Sequence, residues 1–219
     1  MSVGSYHKIS ADAGLLTLQL DPKSLSGYDE FARLVPKAIT AAQRRAINKT
    51  LRWLRSQVSR EVGREQRIAV TAVRQRLKAY MSGSNGQGKL WFGIRPLEAS
   101  RAGRARQSRT GVSVAGRRYQ GAFFKTVYGG RPDIWIRTAS KHFDASQFPD
   151  VEAARGGNRS GWIAENGNRF PLAKAKISLD DVRPHFEAWT RKAHERLRVV
   201  MEQELNFELL KYLRKTGNG

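Results

Sequence analysis

A long helical repeat constrains this chain more than anything else in it. From Lys37 onward, Ile47, Leu51, Leu54, Val58 and Val62 recur at steps of three or four and make one apolar stripe. A second stripe lies near the C-terminus. There Phe186, Trp189, Ala193, Leu197, Val200, Leu205, Leu209 and Tyr212 follow three- to five-residue steps, in a helix that runs to about Lys215. Asp180 or Asp181 is placed to cap that helix, and Pro184 is tolerated in its first turn. Asp29 and Glu30 suit the first turn of an earlier helix, because carboxylates complement its positive end, and Pro36 marks a kink or a restart. Gly63 is a candidate interruption of the long helix. A further helical stretch is expected over 68–80, with Val70, Val73, Leu77 and Tyr80 as its buried face.

Between the helices the pattern changes to strands. Leu15 to Leu20 is a short apolar strand candidate closed by Asp21-Pro22, with a turn at Ser24 to Gly27. Ser82 to Gly88 reads as a turn or link, and Lys89 to Arg95 as a strand. Ala122 to Val127, a Gly129-Gly130 turn and Asp133 to Arg137 make a β-hairpin. Pro171 to Leu179 is a last strand. The aromatic residues Trp91, Phe92, Phe123, Phe124 and Trp135 fall in strands and are assigned to the core. Two stretches fit neither pattern. Ala99 to Arg118 is rich in Arg, Gly, Ser and Ala, has no acid after Glu98, and predicts a mobile arm. The segment from about Ala139 to Asn168 is longer than most loops and reads as an insertion. The expected architecture is one α+β domain over 1–219, an antiparallel sheet packed on long N-terminal and C-terminal helices.

The 219 residues suffice for a sizeable core, since chains of this length bury about 70% of their unfolded surface. Forty Lys and Arg face nineteen Asp and Glu, a net charge of +21, which favours polyanionic partners. The absence of cysteine excludes disulfides and thiolate metal sites. No secretion signal or membrane-length apolar run is visible, so synthesis in the cytoplasm is expected.

Catalytic patterns are sparse. His7, His142, His185 and His194 form no helical zinc pair. His142, Asp144 and Asp150 share the long loop and are weighed as a cation site, against a solvated polar loop. Asp133 after Pro132 looks like half of a metal-nuclease motif, but no acid–spacer–lysine triplet follows it. There is neither a phosphate-binding Gly-Lys-Ser/Thr loop nor a nucleophile elbow. The expectation is a protein that is not an enzyme and needs no cofactor. The basic residues are the stronger signal. Arg101, Arg104, Arg106, Arg109, Arg117 and Arg118 are candidates for contacting phosphates from the arm. On the long helix, Arg44, Arg45, Arg52 and Arg55, with Lys49 and Arg60, fall within an arc of roughly 160° at 100° per residue. They suit phosphates or the acids of a neighbouring subunit equally.

Three segments carry a family resemblance. They are Ala41-Ala42-Gln43-Arg44-Arg45-Ala46-Ile47-Asn48-Lys49-Thr50; then Arg117-Arg118-Tyr119-Gln120-Gly121-Ala122-Phe123-Phe124 with the strand ending at Arg137; and Asn168-Arg169-Phe170-Pro171-Leu172 with Ala175-Lys176-Ile177. In this order and spacing the chain, from about Pro36 to Lys215, resembles the minor tail protein Z family of long-tailed bacteriophages. The resemblance implies a structural tail-completion role at the head-proximal end of the tail, in the neck region of the virion. It implies a homo-oligomeric ring, expected as a hexamer, that meets the tail terminator and other neck or tail proteins and contacts the phage DNA end. It implies no membrane and no small-molecule substrate, and it carries no catalytic residues over. The chain departs from the family pattern at about 139–168, where the family often passes almost directly between the flanking strands. The alternative is a free, sequence-nonspecific nucleic-acid-binding protein.

Overall fold

The computed structural model describes residues 3–10, 13–19, 28–81, 86–127, 131–148, 172–182 and 185–216. Several expected features lie outside these residues: the turn at Ser24 to Gly27, the Gly129-Gly130 turn, Pro171, Pro184, and most of the 139–168 insertion including Asp150. The chain is α+β and divides into two compact units. One comprises 1–61, 74–94 and 181–219; the other comprises 62–73 and 95–180.

The first unit is a sheet covered by helices. Strands β1 (Val3–Ser10), β2 (Ala13–Gln19), β3 (Leu77–Tyr80) and β4 (Gln87–Gly93) form an antiparallel sheet in the order β1-β2-β4-β3. Strand β1 carries no strong apolar run and has no counterpart in the sequence reading. Leu16 pairs with Leu90 and Leu18 with Gly88, so Leu16, Leu18, Leu90 and Phe92 share one buried face, as a period of two requires. Helix α1 (Asp29–Leu34) ends before Pro36, and α2 (Pro36–Glu65) restarts there. The expected stripe Ile47, Leu51, Leu54, Val58 and Val62 is buried throughout. Gly88 lets α2 approach the sheet: a Cβ there would collide with the side chains of Ile47 and Leu51. The C-terminal helix, α4 (His185–Thr216), lies against β1 and β2. Its Phe186 and Trp189 rings sit 5.8 and 6.3 Å from Phe92. Near its far end Tyr212 meets Phe31 of α1 edge to face.

Gly63 does not interrupt α2, which continues to Glu65. Its lack of a Cβ admits the backbone carbonyl of Ile68, which a Cβ would approach to 3.0 Å. The expected helix over 68–80 is corrected. Helix α3 spans only Val70–Arg76, and the chain then becomes strand β3, paired to β4. Val73 and Leu77 are buried as expected, but Val70 and Tyr80 are exposed. A strand places alternate residues on opposite faces, so a stripe spaced by helical steps loses its last member.

The second unit is built of small antiparallel sheets. Strand β5 (Leu97–Glu98) pairs with β12 (Lys176–Ile177). Strands β9 (Phe123–Lys125), β10 (Asp133–Arg137) and β11 (Leu172–Lys174) form a sheet with β10 in the middle, which contains the expected hairpin. The last expected strand is split at Ala175, whose N–H donates to Ile134 and whose carbonyl accepts from Ala99. The expected mobile arm over 99–118 is also corrected. After a short 3-10 turn at Ala99–Arg101, the chain forms a three-stranded meander of β6 (Arg106–Ser108), β7 (Gly111–Val114) and β8 (Arg117–Gln120). Val112, Val114 and Tyr119 bury its inner face, and the Tyr119 ring stands 5.9 Å from the buried Phe148. Of the assigned core aromatics, Phe92 and Trp135 are buried, whereas Trp91, Phe123 and Phe124 are half-buried.

Candidate nucleic-acid interface

The turns of the meander fix which arginines face outward. Ala115 and Gly116 both have positive φ, 51° and 76°, the backbone a two-residue hairpin turn needs to match the twist of its strands. Gly111 (φ +150°) lies where a Cβ would meet the backbone of Gln120 and Gly121 at 3.0 and 3.1 Å. Both turns set the register. Arg106 pairs with Ser113 and Ser113 with Arg118, so these three side chains form one row across the outer face. The next row is Ser108, Gly111 and Gln120. Arg118 donates to Thr110 Oγ1 at 2.6 Å, which holds its guanidinium along the surface. Arg109 lies in the first turn and Arg104 leads into β6, both exposed. Among the described residues no acid pairs with Arg104, Arg106, Arg109 or Arg118. From residue 99 to residue 132 the chain has no acid at all.

The remaining expected contacts are committed otherwise. Arg117 lies on the inner side opposite Val114, half-buried, and its Nη2 donates to the Gln66 carbonyl at 2.8 Å. It anchors the meander to the chain that leaves α2. Arg101 is exposed but stands 3.5 Å from Glu98. Arg67, absent from the sequence candidates, is exposed, and its guanidinium lies beside Gly116. Its signal in the sequence is weak: one basic residue between two helical runs.

On α2 the arginine arc is divided. Arg45 donates from Nε to Glu204 at 2.5 Å and from Nη2 to Glu208 at 2.7 Å, and Lys49 also bonds Glu204. Both carboxylates belong to α4 and are buried. Burial opposes the charge of Glu204, but the hydrogen bonds from Lys49 and Arg45 outweigh it and hold this carboxyl below the usual range. Burial likewise opposes the charge of Arg45, and its bonds to Glu204 and Glu208 overcome that and raise its pKa. Arg55, half-buried, donates to the Arg74 carbonyl at 3.1 Å. Of the four helix candidates Arg44 and Arg52 are exposed, as are Arg60 and Lys49, the last while bonded to Glu204.

The two described acids singled out for nuclease or cation chemistry, Asp133 and Asp144, are engaged within the fold. Asp133 is buried, lies 3.0 Å from Lys174 Nζ, and accepts from the Ile134 N–H. Lys174 also sits 4.9 Å from the centre of the Trp135 ring. Asp144 accepts from Ser146 Oγ at 2.7 Å, the Ser146 N–H at 2.9 Å and Gln147 at 3.2 Å. The Ser146 bonds lower its pKa. Its carboxylate closes a turn. No helix among the described residues is long and apolar enough to cross a membrane. No family model matches the chain, and neither the curated proteins nor the solved structures yield a match.

Proposed function

We propose that this protein is a structural, non-enzymatic component of a phage tail, a tail-completion protein at the head-proximal end that forms a ring and contacts the DNA end. The observation that carries its nucleic-acid side is the outer face of the meander. Arg106 and Arg118 stand there on a folded sheet, with no acid paired to them among the described residues. Repeating that face around a ring would concentrate positive potential near one axis. The tail assignment rests on the three segments that resemble the minor tail protein Z family. The structure gives them framework roles: the first lies in α2, the second forms β8, β9 and β10, and the described part of the third forms β11 and β12. Phe207, Leu210 and Leu213, each more than half exposed on α4, offer an apolar surface suited to contact with another protein.

Gold-labelled antibody on intact virions tests the location. Label at the neck is the expected result, and label elsewhere or none overturns the tail assignment. Gel filtration with negative-stain imaging tests the assembly. Rings, or binding to purified tails, support the reading. A stable monomer with tight duplex affinity favours a free nucleic-acid-binding protein instead.

A further inference from the structure

We infer that the Arg106–Ser113–Arg118 face of the meander is a docking surface for the phosphodiester backbone of double-stranded nucleic acid, read without regard to base sequence. The inference rests on the polyanion-contact half of the proposed function and is independent of where in a virion the protein sits. Its first support is geometry. The row crosses three hydrogen-bonded strands, so its two arginines are held roughly 10 Å apart by two strand spacings. They are not carried on a loop that would lose entropy on binding. Each guanidinium offers a planar fork that matches a phosphate bidentately.

The second support is what the face lacks. Around the row stand Thr110 and Gln120, side chains of a kind that donates to phosphate and sugar oxygens, while the Ser108 hydroxyl donates to the Gly111 carbonyl. No large apolar side chain is exposed among the described residues from Arg95 to Phe148. A protein partner would need apolar or aromatic anchors at the centre of its interface. Single strands are held by stacking their bases on exposed rings. The face supplies neither, and what remains suits a duplex, whose bases are already stacked and whose phosphates lie outside. Arg104 and Arg109 extend the positive surface at either end of β6. Arg117 has no part in the contact, because it lies on the inner side opposite Val114 and its Nη2 donates to the Gln66 carbonyl.

The test is fluorescence anisotropy of a labelled random-sequence duplex DNA and of its single strand, with the full chain over a range of salt. The expected result is tighter binding to the duplex. The R106S/R118S double variant should lose about tenfold in affinity, and its log–log salt slope should shrink by about 2, near 0.9 for each phosphate that is no longer neutralised. R106K/R118K keeps the charge and guards against a folding artefact. It should keep the slope while binding several-fold more weakly, as a point charge replaces a fork. R196S/R198S, two exposed arginines of α4 outside the proposed surface, should bind within about twofold of the parent chain. Three results would each overturn the proposal: R106S/R118S binding like the parent, R196S/R198S losing as much as R106S/R118S, or preference for the single strand. Binding to an acidic protein with no measurable duplex affinity would overturn it as well. Neck labelling with no duplex binding sinks this inference alone; duplex binding with no neck label sinks the tail assignment alone.

Discussion

Arg45 on α2 and the outward arginines of the meander look alike in sequence and do opposite work. On α2, Arg45 turns toward α4, joins Lys49 on Glu204 and reaches Glu208, so positive charge is consumed inside the protein. On the meander, Arg106 and Arg118 flank a serine on an outward face with no acid near them in sequence. The contrast teaches that a basic residue is a recognition element only where the fold withholds an acid. Net charge counts both kinds equally and so overstates the surface that is free to bind.

The largest expected effect comes from the turn that makes the outward face. Gly111→Ala forces a Cβ against the backbone of β8, at a φ that alanine rarely adopts. It should cost roughly 3–4 kcal/mol in urea unfolding and remove amide-exchange protection from β6 to β8. A variant as stable as the parent would show that the meander tolerates another register, and the distinction between the two arginine sets would fall with it.

Next comes Glu204→Gln, which removes the buried charge shared by Arg45 and Lys49. Breaking a buried pair costs several kcal/mol, but Arg45 is about one-third exposed, so a loss of about 2 kcal/mol is expected. The pH dependence has a definite sign. Because the folded carboxyl titrates below its ordinary value of 4.5, its stabilisation is fully present above that value and is lost as pH falls through the folded pKa. Glu204→Gln should therefore flatten the stability profile below about pH 4.5; a profile as steep as the parent's would mean that the pair contributes little.

A smaller effect is expected from His194 on α4, whose pKa burial lowers from its ordinary 6.5 and whose Nε2 finds no partner among the described residues. Its neutral form is favoured in the folded state, so its contribution is present above pH 6.5 and lost as pH falls through the lower folded value. His194→Gln should reduce the loss of melting temperature between neutral and mildly acidic pH. The smallest effect belongs to R44S/R52S: both side chains are exposed, and stability should change by less than about 0.5 kcal/mol in urea unfolding. A larger loss would show that these arginines too are used internally.

The helices were legible because their signal is local. Five apolar residues at helical steps placed α2 and its buried face, and the same logic placed α4 from Phe186 to Leu205. Pro36 marked the restart correctly because its missing N–H suits a first turn. The meander was not legible as a whole, although parts of its signal are present. Val112-Ser113-Val114 alternates with a period of two, and Ala115-Gly116 is a turn pair, but only three or four residues per strand carry the pattern. The surrounding Arg, Gly and Ser hide it, and the cover for Tyr119 comes from Phe148, far along the chain.

The sequence by itself therefore determined the two long helices, the α+β class and an excess of positive charge, because periodicity and composition are properties of neighbouring residues. Only the tertiary structure decided which positive charges remain available. Arg45 and Glu204 are 159 positions apart, and nothing in either neighbourhood announces the pairing. Arg106 and Arg118 face outward together because the Ala115-Gly116 turn and Gly111 at the head of β7, all with positive φ, set the register of three strands. Shifting a strand by one residue sends its side chains to the opposite face, so in another register Arg118 would be pressed into the core that Val112, Val114 and Tyr119 fill.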